Sequence, residues 1–366
     1  MPGLAPAHRI PYIQPVPHIH DTVAIDRLGR RLKVDPYRVR RLRNAFYKSQ
    51  RPSDEALAEL PEDVRPHFAS EVKFHALELV QRMDSKLDGA TKLIFRTNSS
   101  ELIETVILRI ATGRISLCVS SQAGCAAACA FCATGALGFK RNLSTEEILD
   151  QVIQANQLLH AEKRKVRNVV FMGMGEPFHN EKAVHGALEV LRSPQGFAFD
   201  ESRLLVSTVG VPDAMVRLVE KFPRIGLALS LHSAVKATRE KIIPQALKHS
   251  LTALKAAAQT TTAAQPDREL MVEFTMLDGV NDSDAELDAL ADWLIGLPVH
   301  VNLIPYNAIP SSPQLQPTPR ERIQAFAKEL KARGFQVTIR YSLGADIAGA
   351  CGMLAGKNNL QTAPLS

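Results

Sequence analysis

The feature that most constrains the fold is an alternation of short β-rich runs with helical patterns from residue 114 onward. Seven runs are predicted strands: 114–120, 168–172, 204–208, 226–231, 271–276, 300–304 and 336–340. Helices are predicted between them, and the clearest begins at Ser144, where Glu147 completes a capping box. Repeated βα units predict a parallel sheet, and about six units are too few for a closed eight-stranded barrel. We therefore expect an α/β fold, a partial (β/α)6 barrel with an open side.

Polar segments follow five of these strands at their carboxyl ends. They are the cysteine-containing loop at 125–132 and the segments 173–177, 207–210, 230–233 and 305–307. In parallel barrels the loops on this face converge on the active site. Glycine, serine and asparagine often do no more than end a strand, which is sufficient to explain any one segment. Five of them at one end of the sheet favour a ligand site.

The chain has five cysteines, an odd number that argues against a disulfide framework. Cys125, Cys129 and Cys132 form a Cys-x3-Cys-x2-Cys cluster, whereas Cys118 and Cys351 lie far apart from each other. A structural zinc site needs four ligands, usually in two pairs, and the sequence has no second pair. Three thiolates on one short loop suit a [4Fe-4S] cluster, whose fourth iron stays open to a small molecule.

The amino-terminal region is strongly basic. Residues 27–51 hold ten basic residues and a single acid, Asp35. The net charge of +6 and the isoelectric point near 9.1 also favour a polyanionic partner. The alternative is an ordinary solvated helix face, but one acid among ten bases favours contacts with phosphate groups. We predict a basic helical accessory domain in this region.

Five segments are predicted along the chain. They are a proline-rich extension (1–20), the basic helical domain (21–84), a linker formed by a β-hairpin or small meander (85–113), the barrel (114–356) and a tail (357–366). The first 17 residues contain five prolines and lack the apolar run of a signal peptide, so a cytoplasmic location is expected. No stretch approaches the roughly 18 consecutive apolar residues of a membrane span. We expect a monomer that does not bind membranes.

Several ordered blocks of the sequence resemble the RlmN/Cfr family of radical S-adenosylmethionine RNA methyltransferases. They are 118–125, the cysteine cluster, 138–143, 171–177, 278–282 and 346–352, and the resemblance extends from about residue 20 to 356. It implies methylation of an adenine in large-subunit ribosomal RNA at ring carbon C2 or C8, with transfer RNA as a further substrate of some C2 enzymes. The implied cofactors are a [4Fe-4S] cluster on Cys125, Cys129 and Cys132 and two molecules of S-adenosyl-L-methionine per turnover. A reducing electron donor is an implied partner.

The resemblance also implies roles for individual residues. Cys351 would accept a methyl group and carry its carbon to the base, Cys118 would release the product by forming a disulfide with Cys351, and Glu104 would accept a proton. The positions that match S-adenosylmethionine-binding residues are Gly175, Glu176, Ser207, Ser230, Leu231, His232 and Asn307. Without the resemblance, Cys118 would be interpreted as a small buried apolar residue and Glu104 as a solvated carboxylate on a hairpin edge.

Three residues beside Cys351 depart from the family pattern: Ala348, Gly349 and Met353 stand where the family has an aspartate, an alanine and a glutamine. The pair Glu176-Pro177 is similar to the C2 branch, so C2 is favoured. Methylation at C8, or a different RNA target, is the alternative. A radical methylthiotransferase would need three further cysteines, and only two remain. A non-enzymatic, zinc-stabilised RNA-binding protein is the alternative from another class.

Overall fold

The computed structural model describes residues 16–355, and the chain divides into two compact units between His75 and Ala76. The first unit is shorter than the accessory domain expected to end at residue 84, because residues 78–84 form a strand that pairs within the second unit. Residues 1–15 of the proline-rich extension and the tail at 357–366 lie outside the described residues. The remainder of the extension belongs to the first unit, where Ile19 is buried and its N–H donates to the carbonyl of Lys73.

The described part of the first unit is helical. Its helices are α1 (Thr22–Arg31), α2 (Pro36–Tyr47), α3 (Ser53–Leu57) and α4 (Arg65–Glu71). The Asp21 carboxylate accepts from the third residue of α1, and the Asp35 carboxylate accepts from Tyr37 N at the start of α2. Pro36 suits the first position of α2, since no helical N–H partner is needed there. A small apolar core of Ile25, Leu42, Phe46 and Phe68 is fully buried beneath the basic residues.

The second unit is built on a ten-stranded sheet and a separate two-stranded sheet. The strands are β1 (Glu78–Asp84), β2 (Ala90–Arg96), β3 (Leu102–Arg109), β4 (Ile115–Cys118), β5 (Gln122–Gly124), β6 (Phe139–Asn142), β7 (Asn168–Phe171), β8 (Leu204–Thr208), β9 (Gly226–Ser230), β10 (Leu270–Met276), β11 (Val299–Pro305) and β12 (Gln336–Ile339). β5 pairs only with β6. The large sheet has the order β1-β2-β3-β4-β7-β8-β9-β10-β11-β12.

The pairing of the large sheet changes at β4. From β4 through β7 to β12, each strand is parallel to the next one in the sheet, so the carboxyl ends of these strands share one edge. β1 and β12 do not pair with each other, and the sheet therefore stays open, which confirms the predicted partial barrel. Each of the seven strands predicted from the alternation is present, with bounds that differ by at most two residues.

The linker predicted at 85–113, a β-hairpin or small meander, is part of the main sheet and not a separate connection. β1, β2, β3 and β4 form an antiparallel meander, and β3 pairs with β4 from Val106–Cys118 to Arg109–Ile115. A free hairpin would leave the edge of β4 without hydrogen-bond partners, and pairing with β3 satisfies them. The inner strand β2 is buried along almost its whole length, which a solvated linker would not be.

Helices follow the parallel strands. They are α5 (Ala133–Ala136), α6 (Thr145–His160), α7 (Glu181–Arg192), α8 (Pro212–Lys221), α9 (Lys236–Ile242), α10 (Leu251–Ala264), α11 (Asp284–Leu294) and α12 (Arg320–Ala332), with short 3-10 helices at Pro177–Asn180, Glu201–Arg203, Pro244–Leu247 and Ala345–Ile347. Ser144 and Glu147 form the predicted capping box of α6. The helices bury an apolar stripe against the sheet, as α7 does with Val184, Leu188 and Leu191. No helix among residues 16–355 is long and apolar enough to cross a membrane.

Candidate active site

A cavity of about 880 Å³ opens at the carboxyl ends of β7 to β11. The lining contains all three clustered cysteines and also side chains that lie in, or directly after, these five strands. The predicted convergence of polar segments at this edge is therefore present in the structure. We call this space the cofactor cavity.

Main-chain hydrogen bonds to neighbouring segments hold the cysteine loop in place. Cys125 N donates to Gly138 O at 3.1 Å, and Ala130 N donates to Ile242 O at 2.9 Å, which ties the loop to the end of α9. Gly135 packs against the loop so closely that a Cβ there would lie 2.9 Å from Cys129 N. A larger residue at position 135 would displace the loop. The local sequence thus brings three thiols to one wall of the cavity.

The donor set fits a cluster better than a single ion. Cys125 and Cys129 are buried, and burial raises the pKa of Cys125 to about 12 and that of Cys129 well above the usual range. Metal binding would displace these protons, since the thiolate is the ligand. In residues 16–355 no three histidine, cysteine, aspartate or glutamate side chains are grouped so that they could hold a metal ion. A cubic cluster needs thiols at separate corners, which the loop can supply.

Five of the seven positions predicted for S-adenosylmethionine line the cofactor cavity: Glu176, Ser207, Ser230, His232 and Asn307. Ser207 Oγ and Ser230 Oγ lie 3.3 Å apart on neighbouring strands, so they present adjacent hydroxyl groups. Gly175 and Leu231 are next to lining residues but do not line the cavity themselves. At Gly175, φ is +103° and a Cβ would lie 2.6 Å from Gln122 Cβ, so the close backbone approach requires glycine.

Glu176 is a buried carboxylate held by the main chain. It accepts hydrogen bonds from Val209 N at 2.8 Å and from Phe178 N at 3.0 Å. Burial raises its pKa to about 7, and these hydrogen bonds oppose the rise. A cationic group bound in the cavity would favour the ionised form. Glu176 is therefore suited to an ammonium group.

His232 is a neutral ring in the cavity wall. Its Nδ1 accepts from Thr275 N at 2.9 Å, which leaves the ring proton on Nε2. Burial lowers its pKa to about 3, and the Arg239 charge acts in the same direction. Phe131 of the cysteine loop packs edge-on against the ring, with 4.6 Å between the ring centroids. His232 thus connects β9 to the cysteine loop.

Cys351 lies in the wall between two cavities. A second cavity, of about 1,470 Å³, contains Cys118, and the residues common to both cavities are Met172, Arg340, Cys351 and Gly352. Cys351 is exposed, and its carbonyl accepts from Asn307 Nδ2 at 3.0 Å. We call the second space the Cys118 cavity. The structure therefore brings Cys118 and Cys351, separated by most of the barrel in sequence, to one space.

Both thiols are free and protonated. Burial raises the pKa of Cys118 to about 12. Cys351 is exposed to the two cavities, but the protein around them desolvates its thiol and raises its pKa to about 11. The nearby Arg340 charge opposes both increases. The Cys351 charge contributes to the increase at Cys118, which is expected only for groups that lie close together. The expectation that Cys118 is only a small buried apolar residue does not fit its place in the cavity wall.

Glu104 lies apart from the two cavities. It is buried on β3, and its carboxylate forms an ion pair with Lys92 and accepts from Ala355 N. Neither cavity is lined by Glu104. The expectation of a solvated carboxylate on a hairpin edge is wrong, because β3 is an inner strand. The role of Glu104 as proton acceptor remains a prediction.

Comparison with known proteins identifies the family. Residues 119–291 match the model of the radical SAM superfamily. A probable RNA methyltransferase of Rhodopirellula baltica is 53% identical over 94% of this chain and 89% of its own length. A probable dual-specificity RNA methyltransferase RlmN of Thermus thermophilus is 38% identical over 91% of this chain and 93% of its own length. The chain belongs to the RlmN/Cfr family.

A solved structure supports the same assignment. The crystal structure of a radical SAM methyltransferase from Sphaerobacter thermophilus superposes with a TM-score of 0.86 at 36% identity, and the match covers 91% of this chain and 97% of that one. The protein is an S-adenosylmethionine-dependent RNA methyltransferase whose cofactors are a [4Fe-4S] cluster and S-adenosylmethionine. The alternative of a non-enzymatic, zinc-stabilised RNA-binding protein is excluded.

One of the departures from the RlmN/Cfr pattern has a local explanation in the structure. Met353 packs against the apolar cluster that contains the cysteine loop, where a glutamine amide would be next to apolar side chains. Ala348 has a φ of +49°, a left-handed conformation that the aspartate of the family pattern tolerates better than alanine. Nothing in the structure explains Ala348 or Gly349.

Sequence reasoning missed Glu273 and Arg340. Arg340 follows the last parallel strand and lines both cavities, and its Nη1 lies 3.6 Å from Glu273 Oε1. Glu273 accepts from Asn302 Nδ2 at 3.1 Å, and burial raises its pKa. Glu273 is the only acid in the apolar strand β10, and this isolation in the sequence indicates a functional or paired residue, since buried charges need a partner. The charged partner, Arg340, however, directly follows a different strand, β12.

Proposed function

We propose that this enzyme methylates a ring carbon of adenine in large-subunit ribosomal RNA, with C2 favoured and transfer RNA as a second substrate. The position of Cys351 carries the proposal, because this thiol lines both the cofactor cavity and the cavity that contains Cys118. The names of relatives, dual-specificity RNA methyltransferase RlmN, agree with two classes of RNA substrate. An enzyme that acts on ribosomal RNA and transfer RNA would work in the cytoplasm.

The chemistry explains the need for two cysteines outside the cluster. An adenine ring carbon is electron-poor and has no lone pair, so it cannot attack a methyl donor as an amine does. When bound, the [4Fe-4S] cluster and S-adenosylmethionine supply a methyl group and one-electron radical chemistry. Cys125, Cys129 and Cys132 would hold the cluster through their thiolates. Glu176 would bind the ammonium group of the methionine moiety, and Ser207 with Ser230 would contact its nucleoside.

Cys351 would carry the carbon between the cavities. Its thiol would lose a proton as its sulfur gains the methyl group. A hydrogen atom would leave that methyl group for the deoxyadenosyl group of S-adenosylmethionine, and the methyl carbon would bond to the adenine ring carbon. The ring carbon would then lose its proton, and one electron would return to the cluster. Cys118 next attacks the Cys351 sulfur, so that an S–S bond forms as the S–C bond breaks. The electron pair stays with the new methyl carbon, which takes up a proton. A reducing electron donor must then restore both thiols.

The Cys118 cavity suits the base. It is lined by the exposed ring of Tyr341, on which a flipped-out base can stack, and by the Arg340 guanidinium. Both cysteines reach the same space, so a base there would meet the carbon on Cys351 and the sulfur of Cys118. The cofactor cavity lies on the other side of Cys351.

Mass spectrometry of nucleosides tests the proposal. Reconstituted enzyme is incubated anaerobically with ribosomal RNA or transfer RNA, S-adenosylmethionine and a reductant, and the RNA is digested. We expect 2-methyladenosine, and none from the Cys351→Ala protein. Appearance of 8-methyladenosine would assign the enzyme to C8, which Ala348, Gly349 and Met353 keep open as the alternative. Absence of both nucleosides from ribosomal and transfer RNA would contradict the proposal and point to a different RNA target.

A further inference from the structure

A buried ion pair crosses the first strands of the sheet. Lys92 on β2 and Glu104 on β3 lie 3.6 Å apart, and their side chains are 4% and 2% exposed. Moving two charges out of water is costly, and such a pair adds little net stability compared with apolar residues of similar size. The pair therefore needs an explanation other than the stability of the sheet.

Both charged groups contact the main chain of the segment that carries Cys351. Lys92 Nζ donates to Ala348 O at 3.4 Å, and Glu104 Oε2 accepts from Ala355 N at 3.3 Å. These two contacts lie three residues before Cys351 and four residues after it. The pair thus contacts the segment on both sides of the reactive cysteine. After Cys351, Gly352 O and Leu354 O also accept from Ala133 N at 2.7 Å and Thr134 Oγ1 at 2.6 Å. We call residues 344–355 the Cys351 strap.

The strap has little regular structure of its own. It contains one short 3-10 helix, Ala345–Ile347, and left-handed residues at Gly344, Ala348 and Gly352. Its first part is also fixed by the β1–β2 turn, because Asp346 accepts from Ser85 Oγ at 2.7 Å and Lys86 N at 2.9 Å. Tertiary contacts of this kind must set the position of a segment that lacks helix or sheet hydrogen bonds.

We propose that the Lys92–Glu104 pair is a two-point clamp that positions Cys351 between the two cavities, and that Glu104 is a positioning residue of the reaction. The need for accurate placement rests on the proposed function, in which Cys351 serves both cavities. The clamp itself is a property of the fold. Removing one partner would leave an uncompensated buried charge, so the informative change removes both.

Hydrogen exchange of the full-length, cluster-loaded protein tests the clamp. We compare Lys92→Met/Glu104→Leu with Arg96→Met/Glu78→Leu, a matched control that removes an exposed ion pair from β2 and β1. Loss of both contacts between the pair and the strap should accelerate exchange in the strap by about tenfold. The exchange of β7–β11 peptides should not change, and the control should resemble wild type. Wild-type exchange in the strap of the clamp variant would overturn the proposal.

Glu104→Gln provides a second variant in case the double variant does not fold. It keeps an acceptor for Ala355 N but removes the charge, so the strap should still exchange faster than in wild type. Unchanged exchange would contradict the clamp.

Methylation of Cys351 in the absence of RNA separates positioning from proton acceptance. A positioning role predicts a slower appearance of S-methyl-Cys351 in Glu104→Gln, whereas a proton acceptor acts only after the base is attacked and would leave that rate unchanged. If wild type also shows no methylation of Cys351, the proposed function fails, and the exchange result still decides the clamp.

Discussion

At the scale of single residues, burial changes the pKa of Glu176 in the cofactor cavity. Its carboxylate is fully enclosed and has two main-chain N–H donors, yet its pKa rises to about 7, since desolvation outweighs the hydrogen bonds. The folded protein therefore holds this proton more tightly than the unfolded chain, whose corresponding pKa is 4.5. An empty cavity thus contains a carboxyl group that is half protonated near neutral pH.

The pKa of Glu176 predicts a pH dependence of stability. Between pH 4.5 and 7 unfolding releases a proton, so the free energy of unfolding should fall as pH rises and reach its full loss above pH 7. For a fully buried group the loss is about 3 kcal/mol. Denaturant unfolding of cluster-free protein measures this loss. We expect the free energy of unfolding of Glu176→Gln, relative to that of wild type, to rise by this amount as the pH increases from 4 to 8. A difference that is constant from pH 4 to 8 would show that folding does not change the pKa of Glu176.

The three clustered cysteines act as one unit, which gives a second prediction. Cys129→Ala should lose the cluster's iron and sulfide, because two thiols cannot hold three corners of a cube. Iron and sulfide analysis of anaerobically purified protein checks this. Cys118→Ala is the matched control and should keep both, since Cys118 lines the other cavity. Full iron content in Cys129→Ala would mean that another residue serves as ligand.

At the scale of elements, the ten basic residues in and around helices α1 and α2 differ in their surroundings. Arg43 is buried and pairs with Asp26 at 3.0 Å, so it belongs to the structure of the unit. Arg41 and Arg51 pair with Glu59 at 2.6 Å and 3.1 Å. Arg30 and Arg38 are exposed. The basic segment therefore includes both structural and solvent-facing charges.

Binding of RNA by this segment should depend steeply on salt. We expect Arg30→Gln/Arg38→Gln/Arg40→Gln, which changes exposed residues, to reduce the slope of log affinity against log salt by about two, because each phosphate contact contributes about 0.7 to 0.9. Binding of transfer RNA at several salt concentrations measures the slope.

Three exposed bases of α12, Arg320, Lys328 and Lys331, are the control, and their replacement by glutamine should leave the slope closer to that of wild type. An equal effect of both triple variants would show that only net charge matters. An unchanged slope in the first variant would assign α1 and α2 to an ordinary solvated face.

At the scale of the whole molecule, barrel architecture brings together cysteines that are 233 positions apart, from 118 to 351. Cys118 ends β4, the strand at which parallel pairing begins, and Cys351 lies on the strap beyond β12. The proposed disulfide would require their Cα atoms within about 7 Å, so in the proposed reaction the strap would approach β4 during each turnover. Contacts of the strap with β2 and β3 keep it on that side of the sheet.

The two cysteines should therefore differ as variants. Cys118→Ala should accept the methyl group, bond to the base and stop, and so accumulate a protein–RNA crosslink. Cys351→Ala should form no crosslink, because it cannot accept the carbon. Denaturing gels of both proteins after anaerobic turnover provide the measurement. Equal behaviour of the two variants would refute the roles assigned to these cysteines.

The sequence by itself determined the features that depend on local pattern. The alternation of β-rich and helical runs located seven strands and the open barrel, because side-chain periodicity is a property of neighbouring residues. The capping box at Ser144 and the three cysteines on one loop were readable for the same reason. The order of polar segments placed the cofactor cavity at the carboxyl ends of the strands.

Only the tertiary structure decided which distant residues meet. Several contacts join residues that are up to 256 positions apart. They include the contacts of the Lys92–Glu104 pair with Ala348 and Ala355. Arg340 likewise lies between two cavities whose other lining residues are distant in sequence. The spacing of residues in the sequence does not predict these contacts. The residues meet only because the meander and the parallel strands pack around one core. The residues that position Cys351 could therefore be found only after the fold was known.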